Sequence, residues 1–250
     1  RQWIDERIIN TINYTQHGGK FDLSLQITIP NEWENMADIN VGYTAGIETT
    51  KVAPVWLQKG NDMHRIIATS NHSKETYVRT SVKAQNSQTG EVVDYKLETP
   101  IEVVTYAAEK CGAVSIQDLE LEYDFNFMCM SQWGPTKNLE NTIRWWVEEF
   151  LRDEVGLIIK TNFANDSLID HRHTEKILKG MLSSYPDRKC KVYLLHGDYS
   201  REQLRWLLSH DKVKSICNIA HGEGFGLPMF EAAQNAIPVI TVGWSGQLDF

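Results

Sequence analysis

The chain has 250 residues, 42% of them hydrophobic and 23% charged, which is the make-up of a folded globular protein and excludes a disordered or fibrous one. Its formal charge of -8 leaves no basic stripe for a nucleic-acid polymer, so any phosphate bound here is small. No apolar run approaches the roughly 20 residues of a membrane-spanning helix, and the four cysteines, without C-x-x-C spacing, read as reduced thiols of a cytoplasmic protein, free or peripheral to a membrane.

In chain order, Leu23, Leu25, Ile27 and Ile29 alternate with polar residues at the period of a half-exposed or edge strand. A second strand is expected over 39–44, then the loop Ala45-Gly46-Ile47-Glu48-Thr49, a helix over 51–59 for which Glu48 could serve as a cap, a strand over 64–69 and a helix over 71–80. Residues 84–98 are polar and read as a surface loop, with a short strand at 101–106. From there the alternation is regular: strands at 125–130, 155–161, 191–195, 213–219 and 238–242, and helices at 138–152, 174–182, 201–209 and from 227. This pattern predicts a doubly wound parallel sheet. Leu139, Ile143, Trp146, Val147 and Phe150 share one helical face, which puts the tryptophan pair mostly in the core, and Ser200 with Gln203 forms a capping box. The expected domains are 1–106 and 107–250. Arg1 in place of Met, and an end at Phe250 directly behind a motif, read as cuts from a longer chain.

The informative stretch runs His221-Gly222-Glu223-Gly224-Phe225-Gly226-Leu227-Pro228-Met229-Phe230-Glu231-Ala232. A glycine-rich turn that enters a helix with Pro228 in its first turn offers backbone N–H groups and the positive end of a helix dipole to a diphosphate. Carboxylates are poor phosphate ligands, but Glu223 and Glu231 suit the hydroxyl groups of a sugar and a ribose. The spacing differs from G-x-G-x-x-G and falls late in the sheet, which disfavours a nicotinamide dehydrogenase.

E-G-F-G-L-P-x-x-E-A followed by P-V-I-T and a glycine-containing loop resembles the donor signature, two glutamates with seven residues between them, of the GT4-like retaining GT-B glycosyltransferases, which include sucrose synthases and many mannosyl- and glucosyltransferases. The resemblance implies an α/β fold of two Rossmann-like domains facing across a cleft, parallel sheets with helices on both faces, an acceptor-side domain first and a donor domain second. It implies that Glu231 holds the ribose, that Glu223 meets the transferred sugar, and that Gly224, Phe225, Gly226 and Leu227 meet sugar and diphosphate through their amides. Ser131-Gln132-Trp133-Gly134-Pro135-Thr136-Lys137 is similar to the family loop whose basic pair clamps the diphosphate; Lys137 matches, whereas Gln132 stands in place of the arginine. His196-Gly197-Asp198-Tyr199-Ser200 resembles the base-contact loop, with Tyr199 the contact, and Gly46 and Glu48 fall where the family meets acceptor and sugar.

No D-x-D occurs, so the metal-clamped diphosphate of the other main glycosyltransferase fold is not expected, nor is any cofactor. His171 and His173 lack a third ligand nearby and read as a polar loop, and His221 as a packing or hydrogen-bonding residue. The expected function is metal-free hexosyl transfer with retention, from a nucleotide-diphosphate sugar to a glycan, lipid or small-molecule acceptor. The rival is a truncated or degenerate glycosyltransferase that binds the sugar nucleotide without turnover, favoured by Gln132. An epimerase on the same architecture is a third possibility that lacks identifiable acid and base residues.

Overall fold

The structure is a computed structural model that describes residues 1–85, 90–107, 111–117 and 119–250. The chain divides into two units, Arg1–Thr105 and Tyr106–Phe250. In the first, helix α1 (Gln2–Gln16) precedes strands β1 (Phe21–Ile27) and β2 (Ala37–Tyr43), helix α2 (Pro54–Asn61), strand β3 (Arg65–Ala68), helix α3 (Asn71–Arg79), strands β4 (Ser81–Gln85) and β5 (Val92–Lys96), and strand β6 (Ile101–Val103). β1, β2, β3 and β6 form a parallel sheet in that order. Trp33, Leu57, Ile66, Ala68 and Tyr77 lie at its core, all essentially inaccessible.

Three features of this unit depart from the sequence reading. Helix α1 was not anticipated, because all of its residues are exposed and none of its apolar positions is buried against a core. The segment 84–98, expected as a loop, carries most of a hairpin: β4 and β5 pair antiparallel, with Val82 opposite Tyr95 and Ala84 opposite Val93, and Val82 and Tyr95 pack on the core. Residues 86–89 lie outside the described residues. Helix α2 begins at Pro54 with Ala53 as its N-cap, so Glu48 does not cap it.

The second unit contains β7 (Asn126–Met130), α4 (Leu139–Glu149), β8 (Gly156–Lys160), α5 (Leu168–Leu182), β9 (Lys191–Leu195), α6 (Arg201–Ser209), β10 (Val213–Asn218), α7 (Leu227–Gln234) and β11 (Val239–Thr241). Its sheet runs β11-β10-β7-β8-β9, all parallel, as the alternating pattern predicts. Because successive side chains of a strand point to opposite faces, Met128 and Ile158 join one apolar cluster with α6 and α7, while Phe127, Cys129, Leu157 and Ile159 join the other with α4 and α5. This explains the continuous apolar runs of β7 and β8: both faces are covered. Trp146 is buried in α4, but its neighbour Trp145 is 48% exposed under the Arg144 guanidinium, since adjacent helical residues point about 100° apart; only half of the pair is core. Helix α5 begins at Leu168, six residues earlier than expected, and so places His171 and His173 on a helix rather than a loop. Ser200 and Gln203 form the capping box at the start of α6.

Gly156 touches Asn126 so closely that an added Cβ would stand 1.9 Å from Asn126 Oδ1. The Asn126 amide donates to the carbonyls of Tyr123 and Lys212, tying the segment before β7 to the one before β10. Gly156→Ala is expected to destabilise the protein by about 1–3 kcal/mol in denaturant unfolding, the cost of overpacking; an unchanged midpoint would show that Asn126 is no wedge.

Candidate functional site

β7 and β10 are neighbours in the sheet, yet the chain leaves them toward opposite faces, so their C-terminal ends open the crevice where such sheets take ligands. The loop after β10 enters α7 through Gly226, whose φ of 86° lies in the left-handed region that glycine adopts without strain, with Pro228 in the first helical turn. The loop after β7 reaches α4 through Asn138, also left-handed at φ 52°. The two loops are joined: His221 N–H donates to the Thr136 carbonyl at 2.9 Å and Asn138 Nδ2 to the Ile219 carbonyl at 3.1 Å. At the junction Lys137 Nζ stands 3.0 Å from Glu223 Oε2, with both side chains largely buried, and Asn218 Nδ2 donates to Glu223 Oε1 at 3.2 Å.

A third loop, after β11, holds the first from behind. Ser245 accepts the Glu223 N–H at 2.8 Å, its hydroxyl lies 3.0 Å from the Glu223 carbonyl and 2.8 Å from Gln247 Oε1, and Gly246 N–H donates to the Glu223 carbonyl at 2.8 Å. Ser245 has φ 75° and ψ -164°, a region almost reserved for glycine and strained for any other residue. A Cβ on Gly246 would meet the Gly224 carbonyl oxygen at 2.1 Å, so the backbones of the two turns touch.

Beside these turns lies a cavity of about 430 Å³ lined by residues of α6 and α7, among them Arg201, Arg205, Leu227, Pro228 and Glu231, with Tyr106 and Met130. Glu231 is half-buried, and burial raises its pKa above the usual carboxylate value, partly offset by the Arg201 guanidinium. Tyr199, after β9, packs on the α6–α7 side of the sheet, with Lys160 Nζ 5.9 Å from its ring centre, and burial raises its pKa.

The structure thus brings Lys137 and Glu223 into contact, and lines the adjoining cavity with Leu227 and Glu231. Gly224 and Gly226 lie in the turn between them. Phe225 is 3% exposed and its ring packs on Tyr106, Phe230 and Phe250, so its side chain is taken up by core packing. Gln132 donates to the Phe163 carbonyl and supplies no charge. Gly46 and Glu48 lie on the loop after β2 in the first unit, half-buried. His221 is exposed and borders a separate cavity near the start of α4. Among the described residues, no three His, Cys, Asp or Glu side chains form a group that could hold a metal ion, and no helix is long and apolar enough to cross a membrane.

Sequence reasoning missed Asn218, Ser245, Arg201 and the buried pair His196–Asp170, whose Nε2–Oδ2 distance is 2.9 Å. Burial works against the Asp170 carboxylate, but His196 and the amides of Phe163 and Ala164 outweigh it and hold its pKa below the usual value. A position directly after the end of an apolar strand was the available signal for His196, since loops there carry function.

No family model and no curated protein matches the chain by sequence. Solved structures do match it in shape. A structure described as "Trehalose-6-phosphate from E. coli bound with UDP-2-fluoro glucose" aligns with 98% of this chain and 64% of its own, at 12% identity and a TM-score of 0.64. A glycosyltransferase from Rickettsia africae aligns with 96% of this chain and 62% of its own, at 13% identity and a TM-score of 0.58. The fold is that of GT-B glycosyltransferases. HepE of Anabaena in complex with UDP-glucose aligns with 84% of this chain and 55% of its own, at 15% identity and a TM-score of 0.55. The chain spans about three-fifths of the length of these proteins.

Two outcomes follow from the geometry. Ser245→Ala keeps the strained backbone and loses the hydroxyl, whereas Ser245→Gly loses the hydroxyl and relaxes the backbone, so the alanine variant is expected to be less stable than the glycine variant by about 1–3 kcal/mol in chemical denaturation; the reverse order would remove the strain argument. The raised pKa of Glu231 means that its folded form takes up a proton more readily than the unfolded chain. Its contribution to stability is present below the ordinary value of 4.5 and is lost as pH rises through the elevated value. In a melting-temperature series across that window, Glu231→Gln is expected to flatten the decline.

Proposed function

We propose that the chain binds a nucleotide-diphosphate sugar at the β7–β10 crevice and transfers its hexosyl group, with retention and without metal, to an acceptor contacted by the loop that carries Gly46 and Glu48. The observation that carries this reading is the contact of Lys137 with Glu223 in the turn that leads into α7, whose first residues and Glu231 line a cavity. In this reading the nucleoside occupies the cavity, the ribose hydroxyls donate to Glu231, and Tyr199 meets the base. The diphosphate lies at the start of α7, against the amides of Gly224, Phe225, Gly226 and Leu227 and the ammonium of Lys137. Glu223 accepts from the hydroxyls of the sugar. The bond from the anomeric carbon to the diphosphate oxygen breaks, the acceptor oxygen bonds that carbon on the same face, and the acceptor proton passes to the departing diphosphate. Support also comes from the fold and from the nucleotide sugars named with two of the similar structures.

One observation favours a second reading, binding without turnover. Gln132 offers an amide tied to the Phe163 carbonyl where the related loop carries arginine, so one cation that would stabilise the leaving group is missing.

A thermal-shift panel of UDP-, GDP- and ADP-sugars tests donor binding, because a ligand that binds the folded state raises the melting temperature by mass action. At least one sugar nucleotide is expected to raise it, and calorimetry should then find Glu231→Ala weaker by about 1–3 kcal/mol. A flat panel overturns the reading. Release of free sugar or transfer to an acceptor by the chain that binds separates catalysis from mere binding.

A further inference from the structure

Glu223 is a carboxylate only 9% exposed, and such a group needs fixed partners in every state of the site. One of its two side-chain partners is a cation. On the proposed reading, the diphosphate competes for that same Lys137 ammonium, so the ion pair loosens when the site fills. The other partner does not change. Asn218, the last residue of β10, is 3% exposed, and both ends of its amide are engaged: Nδ2 donates to Glu223 Oε1 at 3.2 Å and Oδ1 accepts the Ala220 N–H at 2.9 Å. Turning the amide over would set two oxygens against each other and an N–H against an N–H, so its orientation is fixed by its neighbours.

We infer that Asn218 is a positioning residue: it holds the Glu223 carboxylate aimed at the sugar while Lys137 exchanges Glu223 for the diphosphate. The inference rests on the reading that Glu223 meets the transferred sugar. Asn218 itself touches no ligand. Its contribution is confined to the sugar half of the donor, which distinguishes it from a residue that merely stabilises the fold.

The experiment is calorimetric titration of the chain with UDP and UDP-glucose, and with GDP and GDP-mannose. The proteins are the native chain, Asn218→Leu, Asn218→Ser, Glu223→Gln and the double variant Asn218→Leu/Glu223→Gln. Asn218→Ser retains a small acceptor near the Ala220 N–H but cannot reach Glu223, and it serves if the leucine variant does not fold. The native chain is expected to bind the sugar nucleotide more tightly than the bare nucleotide. Each Asn218 variant should lose roughly tenfold in affinity for the sugar nucleotide, the order expected for a hydrogen bond to a charged group, with its affinity for the bare nucleotide within about twofold of native. In the Glu223→Gln background the Asn218 change should cost nothing further. Equal losses for both ligands, additive losses in the double variant, or no loss at all overturns the inference while leaving donor binding intact. A native chain that binds none of the four ligands overturns the donor reading and the inference with it.

Discussion

Two backbone turns cannot be brought into van der Waals contact unless at least one of them lacks a side chain at the meeting point. The turn before α7 and the turn after β11 meet at Gly224 and Gly246, where a single methyl group would collide with a carbonyl oxygen. The neighbouring Ser245 endures an unfavourable backbone conformation so that its hydroxyl can face the Glu223 main chain. Everything in the crevice follows from that closure. It ties down the Glu223 main chain, whose carboxylate meets Lys137. The backbone of such a turn is arranged in advance, and groups that need not reorganise are the ones that act most strongly on charge.

The electrostatics of the crevice are nearly balanced within the protein. Lys137 and Glu223 neutralise each other, Gln132 is neutral, and a buried pair of this kind is weak evidence for stability because desolvation offsets its attraction. A diphosphate bound as proposed would therefore meet backbone dipoles before it meets net charge. The positive side chains near the cavity, Arg201 and Arg205, belong to α6, on the side proposed for the nucleoside.

The second unit was legible in the sequence because each of its central strands is covered on both faces, which leaves continuous runs such as Gly156–Lys160 that admit few alternatives. The glycine turn and its two glutamates were legible because their spacing is local. What escaped is what depends on distance in the chain. Asn218 looks like an ordinary polar residue at a strand end until the fold brings Glu223 to it, and Ser245 is unremarkable without its partner 22 residues earlier. The hairpin of β4 and β5 was lost because half of the residues in its two short strands are polar or charged, and α1 because a helix with no buried face leaves no burial pattern to read.

Strand β1 sits at the edge of the first sheet with its chemistry reversed. Its partly covered positions are Ser24 and Gln26, hydrogen-bonded to Asn40 and to the backbone of Glu34, while Leu23, Leu25 and Ile27 are 57–70% exposed. An open rim of unpaired peptide groups beside a row of branched aliphatic side chains is the arrangement that invites another strand to add itself. Handled at high concentration by itself, this chain should therefore be prone to stick to its own copies. Charged substitutions at Leu23 and Leu25, which belong to the first unit, are the natural way to keep it in solution.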